Sequence, residues 1–145
     1  MTDGIATVPD LSSIYPEMSS IHESITAAVA NGSLLESAKL NITALLAGTT
    51  SEIASLVVEE LIAAGAWEEL NDRFFQTLAF GTGGLRGRTI GRVVTQIEQG
   101  VGGPNGRPER PCVGTATMNF FNLSRAVRGL IAYTKRFVGS TRKPV

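Results

Sequence analysis

The sequence predicts an α/β protein in two parts: a helical N-terminal extension over residues 1–70 and an incomplete α/β domain over residues 71–145. Three observations support this prediction. Apolar residues recur at helical spacing through residues 17–70. Glycine and arginine then become frequent, and a β-branched run precedes a loop and an amphipathic helix. The charge also changes, because residues 1–70 contain ten acidic residues and one basic residue, whereas residues 71–145 contain three and twelve.

The composition limits the class of protein. A chain of 145 residues with zero net charge suits one soluble domain or part of a larger one. The only cysteine, Cys112, cannot form an internal disulfide, which favours a reducing compartment. No apolar run approaches the roughly 20 residues that cross a bilayer, and the N-terminus does not resemble a signal peptide. We therefore expect a cytoplasmic protein with no membrane contact.

The first half is expected to be a loose leader followed by a small helical bundle. After residues 1–16, a first helix should end at Asn31-Gly32, because both residues tolerate the left-handed backbone. Capping-box spacing then predicts helix starts at Ser33, with Glu36, and at Thr49, with Glu52. The third helix should bury one apolar stripe, formed by Ile53, Leu56, Val57, Leu61 and Ala64.

The second half is expected to be an unfinished βαβ unit. The β-branched segment RTIGRVVTQI predicts a strand near residues 88–97, and EQGVGGPNGRPERP predicts a turn-rich loop. An amphipathic helix should follow, with Asn119 as its N-cap, and STRKPV should lead into a further strand. A sheet this small cannot bury its faces, so we expect the chain to be truncated and this half to be unstable alone.

Three side chains suggest chemistry that the sequence does not support further. His22 is the only histidine, and its place on a polar helical segment favours a surface residue over a catalyst. Asn41 and Asn122 match the N-glycosylation pattern, but without a signal peptide we interpret both as chance matches.

The segment AFGTGGLRGR, residues 79–88, is the strongest candidate for a functional site. Glycines let backbone amides approach an oxyanion closely, and successive amides in a tight turn form a concave anion site. Arg86 adds a planar, permanently charged fork that matches two phosphate oxygens. A glycine-rich turn with solvated arginines remains an alternative. The segment is neither a Walker A loop nor a dinucleotide fingerprint, since Leu85-Arg86-Gly87 replaces the required residues and no helix is expected next.

FGTGGLRGR resembles the N-terminal signature of the phosphohexomutases, the phosphoglucomutase and phosphomannomutase family. The signature is Phe-Gly-Thr, any residue, Gly, an aliphatic residue, Arg and often Gly. The matching residues are Phe80, Gly81, Thr82, Gly84, Leu85, Arg86 and Gly87. The approach WEELNDRFFQTLAFGTGG and the helix MNFFNLSRAVRGLIAYTKRF are also similar to the longer, phosphoglucomutase-like members, so the resemblance covers residues 67–88 and 113–145. Residues 1–60 add nothing to it.

The resemblance implies a fold, a reaction and site residues. Residues 71–145 would be the incomplete first α/β/α domain of an enzyme that interconverts hexose 1-phosphate and hexose 6-phosphate through a phosphoserine and a bisphosphate intermediate. Arg86 would face the phosphoserine, while Thr82, Gly83, Gly84 and Arg88 would form the phosphate-loop wall of the cleft. The family also uses Mg²⁺ and a glucose 1,6-bisphosphate-type activator, and its C-terminal domains complete the site.

The chain departs from the family pattern at the catalytic centre. The family's serine lies in a Thr-Ala-Ser-His-Asn-Pro loop, and GTATMN at residues 114–119 has neither Ser nor His. The Asp-x-Asp-x-Asp metal loop, the Gly-Glu-x-Ser-Gly sugar loop and the C-terminal phosphate loop are missing from these 145 residues. We therefore expect a mutase fragment that is inactive alone and has no metal ligands of its own.

Two alternatives belong to other functional classes. In the first, the basic second half is a phosphate- or nucleic-acid-binding module that uses Arg86, Arg88, Arg92, Arg107 and Arg110. Aromatic residues are not interleaved with these arginines, as stacking on single-stranded nucleic acid requires, so no nucleic-acid partner is expected. In the second, the chain is a structural interaction domain with an incidental glycine-rich loop.

Overall fold

The computed structural model describes residues 16–139, which form a helix-rich fold with one small two-stranded sheet. Four helices come first: α1 (Pro16–Ala30), α2 (Glu36–Gly48), α3 (Glu52–Ala63) and α4 (Trp67–Phe74). A hairpin of β1 (Phe80–Gly81) and β2 (Gly84–Leu85) follows, then a short α5 (Gln96–Gln99), a 3₁₀ turn (Pro104–Gly106) and α6 (Phe120–Gly139). The expected leader up to residue 15 and the expected strand in STRKPV lie outside the described residues.

Helices α1 to α4 pack into the helical bundle that the sequence predicts. Ile25, Ile42, Val57, Leu61 and Phe74 are all at most 1% exposed and come from each of the four helices. Burial of such side chains is the main favourable contribution to folding. The predicted end of α1 is also confirmed, since Gly32 has φ +81° and the helix ends just before it. Helix α4 then crosses residue 70, the expected boundary between the two parts of the chain.

The two capping boxes predicted for α2 and α3 do not form. Helix α2 begins at Glu36, and neither helix has a side-chain cap. Instead, the Asn71 amide of α4 holds the entry to α2: its Oδ1 accepts from the Leu35 amide at 2.8 Å, and its Nδ2 donates to the Ser33 carbonyl at 2.9 Å. For α2 the prediction was wrong because a tertiary partner satisfies a backbone group that a local cap would otherwise satisfy. For α3 the structure shows no such partner among the described residues.

Only Val57 and Leu61 of the five residues predicted for the apolar stripe of α3 are buried, and Ala64 is exposed just beyond the end of the helix. Ile53 and Leu56 are 38% and 39% exposed, whereas Ala54 and Val58 are buried together with Val57 and Leu61. The segment ASLVVEELIA is apolar over more than one face. Its periodicity therefore does not decide which face is covered, and packing against the other helices does.

The strand predicted near residues 88–97 is absent, so the described residues contain no βαβ unit. Residues 88–94 are irregular, and Thr95 begins α5 with a capping box in which its side chain pairs with Glu98. The Val93 carbonyl accepts from Arg73 of α4, and the Gln96 amide donates to Glu60 of α3 at 2.6 Å. These backbone groups are already hydrogen-bonded to side chains of the bundle, so they are not available to pair with a neighbouring strand.

Helix α6 forms as predicted, with Asn119 as its N-cap: Asn119 Oδ1 accepts from the Asn122 amide at 2.9 Å. Its apolar face is exposed, and every residue from 127 to 139 is solvent-accessible. The exposed apolar side chains include Phe120, Leu123, Val127, Leu130, Ile131 and Phe137. Within residues 16–139, no helix combines the length and the apolar character that a membrane span requires.

The three isolated side chains take ordinary places in the fold. His22 is exposed on α1. The Asn41 amide donates to the Phe74 carbonyl at 2.7 Å, and Asn122 is 2% exposed. Both asparagine amides are held by backbone carbonyls, which is unfavourable for attachment of a glycan.

Candidate functional site

The glycine-rich segment forms a short β-hairpin with a two-residue turn. Phe80 pairs with Leu85 and Gly81 pairs with Gly84 in antiparallel register, so Thr82 and Gly83 form the turn. Gly84 has φ +107°, a conformation that glycine adopts without a steric penalty. Gly84 directly follows the two-residue turn. At this position the local backbone favours glycine whether or not the loop binds an anion.

Arg86 lies across this turn. A Cβ atom placed on Gly83 would come 2.5 Å from Arg86 Nη2 and 3.4 Å from Arg86 Cζ, so the guanidinium rests directly on the glycine backbone. Arg86 is exposed, and no carboxylate or carbonyl among residues 16–139 pairs with its side chain. Its donors are thus free to bind an anion from solution or from another part of a protein.

Both ends of the hairpin are fixed to one segment, residues 115–118. The Leu78 amide before the hairpin donates to the Thr115 carbonyl at 2.7 Å, and the Met118 amide donates to the Arg88 carbonyl after it at 2.9 Å. Gly87 lies against the same segment, where a Cβ atom would be 3.0 Å from the Met118 amide nitrogen. The hairpin is therefore anchored at both ends.

Two asparagines at the start of α6 hold that segment in turn. The side-chain amide of Asn122 donates to the carbonyls of Gly114, Thr115 and Thr117 at 2.9, 3.2 and 2.7 Å. Asn119 Nδ2 donates to the Gly114 carbonyl at 2.8 Å. In the sequence, the segment GTATMN only partly resembles the serine loop of the family. In the structure this segment anchors the hairpin, and the sequence signal for that role was the pair of asparagines three residues apart, Asn119 and Asn122.

A buried ionic cluster behind the hairpin was not foreseen from the sequence. Arg73 is fully buried; its Nε contacts Glu69 Oε1 at 2.7 Å, and its Nη1 contacts Glu98 Oε1 at 2.6 Å. Glu98 Oε1 also accepts from the Val113 amide at 2.8 Å. The available signal was that Glu69 and Arg73 each directly precede a core residue of α4, Leu70 and Phe74, and therefore lie at the edge of its apolar face.

Burial and neighbouring charges shift the pKa of Arg73 and of the nearby Cys112. Burial alone would lower the pKa of Arg73. The hydrogen bond to Glu98, the negative charge of Glu98 and the hydrogen bond to Glu69 together outweigh burial, so the pKa of Arg73 is raised. Burial also raises the pKa of the Cys112 thiol, which the charge of Arg73 only partly opposes. Arg73 is therefore a permanent cation here, and Cys112 is a neutral, unreactive thiol.

Three of the four other candidate arginines pair with acidic side chains, whereas Arg107 is exposed and has no ion pair within residues 16–139. Arg88 Nη2 lies 3.2 Å from Glu69 Oε1 and 3.9 Å from Asp72 Oδ2. Arg92 contacts Asp72 at 3.4 Å and Arg110 contacts Glu109 at 3.9 Å. The structure thus brings Thr82, Gly83, Gly84 and Arg86 together in the hairpin, while the Arg88 guanidinium is joined to α4.

The Mg²⁺ that the resemblance implies has no matching ligand set among residues 16–139. Within residues 16–139, no three His, Cys, Asp or Glu side chains are grouped as a metal site would require. The buried carboxylates of Glu69 and Glu98 are already used by arginines. No step of the function proposed below runs through Mg²⁺.

Comparisons of the chain with protein-family models, with curated proteins and with solved structures found no match.

Proposed function

We propose that this chain supplies the phosphoserine-facing arginine loop of a phosphohexomutase, an enzyme that interconverts hexose 1-phosphate and hexose 6-phosphate. The seven signature residues from Phe80 to Gly87 suggest this reaction. In it, the phosphoryl group leaves a serine oxygen for one sugar hydroxyl, and a phosphoryl group from the other position of the bisphosphate then returns to the serine.

The observation that carries the proposal is the unpaired guanidinium of Arg86 across the Gly83 turn. Among the described residues, Arg73, Arg88, Arg92 and Arg110 each contact a carboxylate, but Arg86 does not. Arg107, Arg125, Arg128 and Arg136 have no carboxylate partner in residues 16–139 either, and what distinguishes Arg86 is that its guanidinium lies on a glycine turn. An arginine that must stabilise charge during phosphoryl transfer has to be both fixed in place and free of an internal partner. Two observations support this role: the backbone on either side of Arg86 is anchored at Leu78 and Arg88, and its guanidinium has no carboxylate partner within residues 16–139.

Arg86 would stabilise the oxygens of the phosphoryl group as charge shifts between the serine and the sugar. The planar guanidinium can donate two parallel hydrogen bonds to phosphate oxygens. Because Gly83 has no Cβ atom, this guanidinium can lie directly against the turn backbone. The serine itself has to come from outside the 145 residues, because no Thr-Ala-Ser-His-Asn-Pro loop occurs in them. The chain alone should therefore not isomerise glucose 1-phosphate.

The experiment starts from the polypeptide that the source cell makes. We would sequence the transcript beyond the Val145 codon, purify the protein that contains these residues, and assay conversion of glucose 1-phosphate to glucose 6-phosphate. A downstream serine loop with mutase activity would support the proposal. A native product without such a loop, or activity in the purified 145-residue chain, would contradict it.

Variants of that native protein test the role of Arg86. Arg86→Ala should lower kcat by about a hundredfold, the usual cost of removing one such donor. Arg86→Lys should also lower kcat, because it keeps the charge but loses the fork. Arg92→Ala is the matched control, since Arg92 is exposed and contacts only Asp72. The assignment would be contradicted if the kcat of Arg86→Ala were within threefold of wild type while the kcat of Arg92→Ala fell strongly.

A further inference from the structure

We propose that Arg88 is a positioning residue: its guanidinium ties the C-terminal end of the hairpin to Glu69 and thereby holds Arg86 across the turn. The sequence assigned Arg88 to the phosphate-loop wall, and the structure supports a different role. The effect on the reaction rests on the proposed function, but the tether itself can be tested without any ligand.

The acceptor of this tether is unusually fixed. The Glu69 side chain is 3% exposed, and its Oε1 accepts from Arg73 at 2.7 Å and from Arg88 at 3.2 Å. Arg73 is in turn held by Glu98. A surface carboxylate would leave Arg88 free to move with its partner, whereas this one is locked into the core of the fold.

The backbone around Arg88 is fixed from a second direction. Its carbonyl accepts from the Met118 amide at 2.9 Å, and the next carbonyl, that of Thr89, accepts from the Cys112 amide at 2.8 Å. Gly91 packs so closely that a Cβ atom there would lie 2.5 Å from Glu69 Oε1. Residue 88 is therefore attached to α4 through its side chain and to residues 112–118 through its backbone.

Arg86 lies only two residues before this attachment. Two residues span at most about 7 Å, so the position of Arg88 limits where the Arg86 Cα and its guanidinium can lie. Phosphate binding through Nη2 of Arg88 would require that atom to leave a buried carboxylate, which is costly. Arg88 therefore acts on the phosphoryl group through Arg86, whose position it limits.

The test uses the isotope-labelled 145-residue chain and four variants: Arg88→Ala, Arg88→Lys, Glu69→Gln and the control Arg92→Ala. NMR measures two quantities: amide hydrogen exchange at Gly81, Gly83 and Gly84 without ligand, and the Kd for O-phosphoserine. Thermal unfolding gives the third, the unfolding midpoint.

Arg88→Ala should speed exchange at the hairpin amides and raise the Kd about fivefold, with the helical bundle still folded. Arg88→Lys should recover most of both properties, because only Nη2 of Arg88 contacts the two carboxylates. Arg92→Ala should match wild type in hairpin exchange, since Arg92 contacts only the exposed Asp72.

Glu69→Gln separates positioning from simple electrostatics. Removing a negative charge near the hairpin would tighten phosphate binding if charge alone mattered, whereas loss of the tether weakens it. Tighter binding by folded Glu69→Gln, or unchanged hairpin exchange in Arg88→Ala, would overturn the proposal. If Glu69→Gln does not fold, the ligand-free exchange of Arg88→Ala decides, because a mere phosphate contact would not alter it.

The same data distinguish the two proposals. If wild type does not bind O-phosphoserine at the hairpin, the proposed function fails, and faster hairpin exchange in Arg88→Ala still supports the tether. If wild type binds through Arg86 and Arg88→Ala changes neither exchange nor Kd, the tether fails and the proposed function stands.

Discussion

Gly91 is a position where the fold leaves no room for a side chain. A Cβ atom there would lie 2.5 Å from Glu69 Oε1 and 2.7 Å from the Val93 carbonyl oxygen, and closer still to Arg73 Nη2. These atoms belong to the buried ionic cluster and cannot move without breaking its hydrogen bonds. The requirement for glycine comes from close approach, not from a left-handed backbone.

We expect Gly91→Ala to lower the free energy of unfolding by about 1–3 kcal/mol, the usual cost of forcing extra volume into a packed site. Gly48→Ala is the control, because nothing lies within 4 Å of a Cβ atom there and the backbone is helical. Urea unfolding followed by circular dichroism measures both. Equal stabilities for the two variants would show that the cluster is looser than described.

The same cluster shows what sequence patterns could and could not predict at the residue scale. The FGTGGLRG signature and the Asn119 cap depend on neighbours in the chain, and the cap was found where the pattern placed it. The role of Arg73 depends on Glu98, 25 residues away, and on the Val93 and Val113 carbonyls. No local sequence pattern identifies those partners, although the position of Arg73 beside the core residue Phe74 indicated that it lies at the edge of the apolar face.

At the scale of elements, short-range and long-range hydrogen bonding compete. Helix ends at Asn31-Gly32 were predictable, since glycine's left-handed freedom is a local property. The strand expected near residues 88–97 was not realised, although its residues are β-branched, because strand propensity matters only where a partner strand exists. The Arg73 side chain and the Glu60 carboxylate take up the backbone groups that such a partner would have used.

This difference predicts the order of local stability. Amide protons of residues 56–61 lie in α3, where Val57, Val58 and Leu61 are fully buried, whereas Val93 and Val94 are 40% and 36% exposed in irregular chain. Hydrogen exchange should therefore be slower at Leu56–Leu61 than at Val93–Ile97. Stronger protection at Val93–Ile97 would contradict this order.

At the scale of the whole molecule, α6 differs from the rest of the fold. It contacts the remaining chain through its first turns, where Asn122 is buried and Arg125 Nη2 donates to the Leu78 carbonyl at 3.2 Å. From residue 127 onward the helix is exposed, including its apolar side. Its amphipathic pattern was predictable, but an amphipathic pattern does not say whether a partner covers it.

Substitutions should separate α6 from the core. The double variant Leu130→Gln, Ile131→Gln replaces side chains that are 61% and 48% exposed, and it should change the free energy of unfolding by less than about 0.5 kcal/mol. Ile42→Ala, at a fully buried position, should cost about 2–5 kcal/mol. A loss above 1 kcal/mol in the α6 double variant would mean that this face is covered in solution.

The central proposal for the whole molecule is a hairpin that binds phosphate through the charge of Arg86. Titration of the isotope-labelled chain with O-phosphoserine, read at the Gly81, Gly83 and Gly84 amides and at Arg86 Nε, tests this most directly. We predict saturable shifts at these groups with a Kd on the order of 1 mM, as suits a few hydrogen bonds on an exposed loop. The shifts should disappear in Arg86→Ala and persist in Arg92→Ala. Shifts that are absent in wild type, or that survive in Arg86→Ala, would contradict the account.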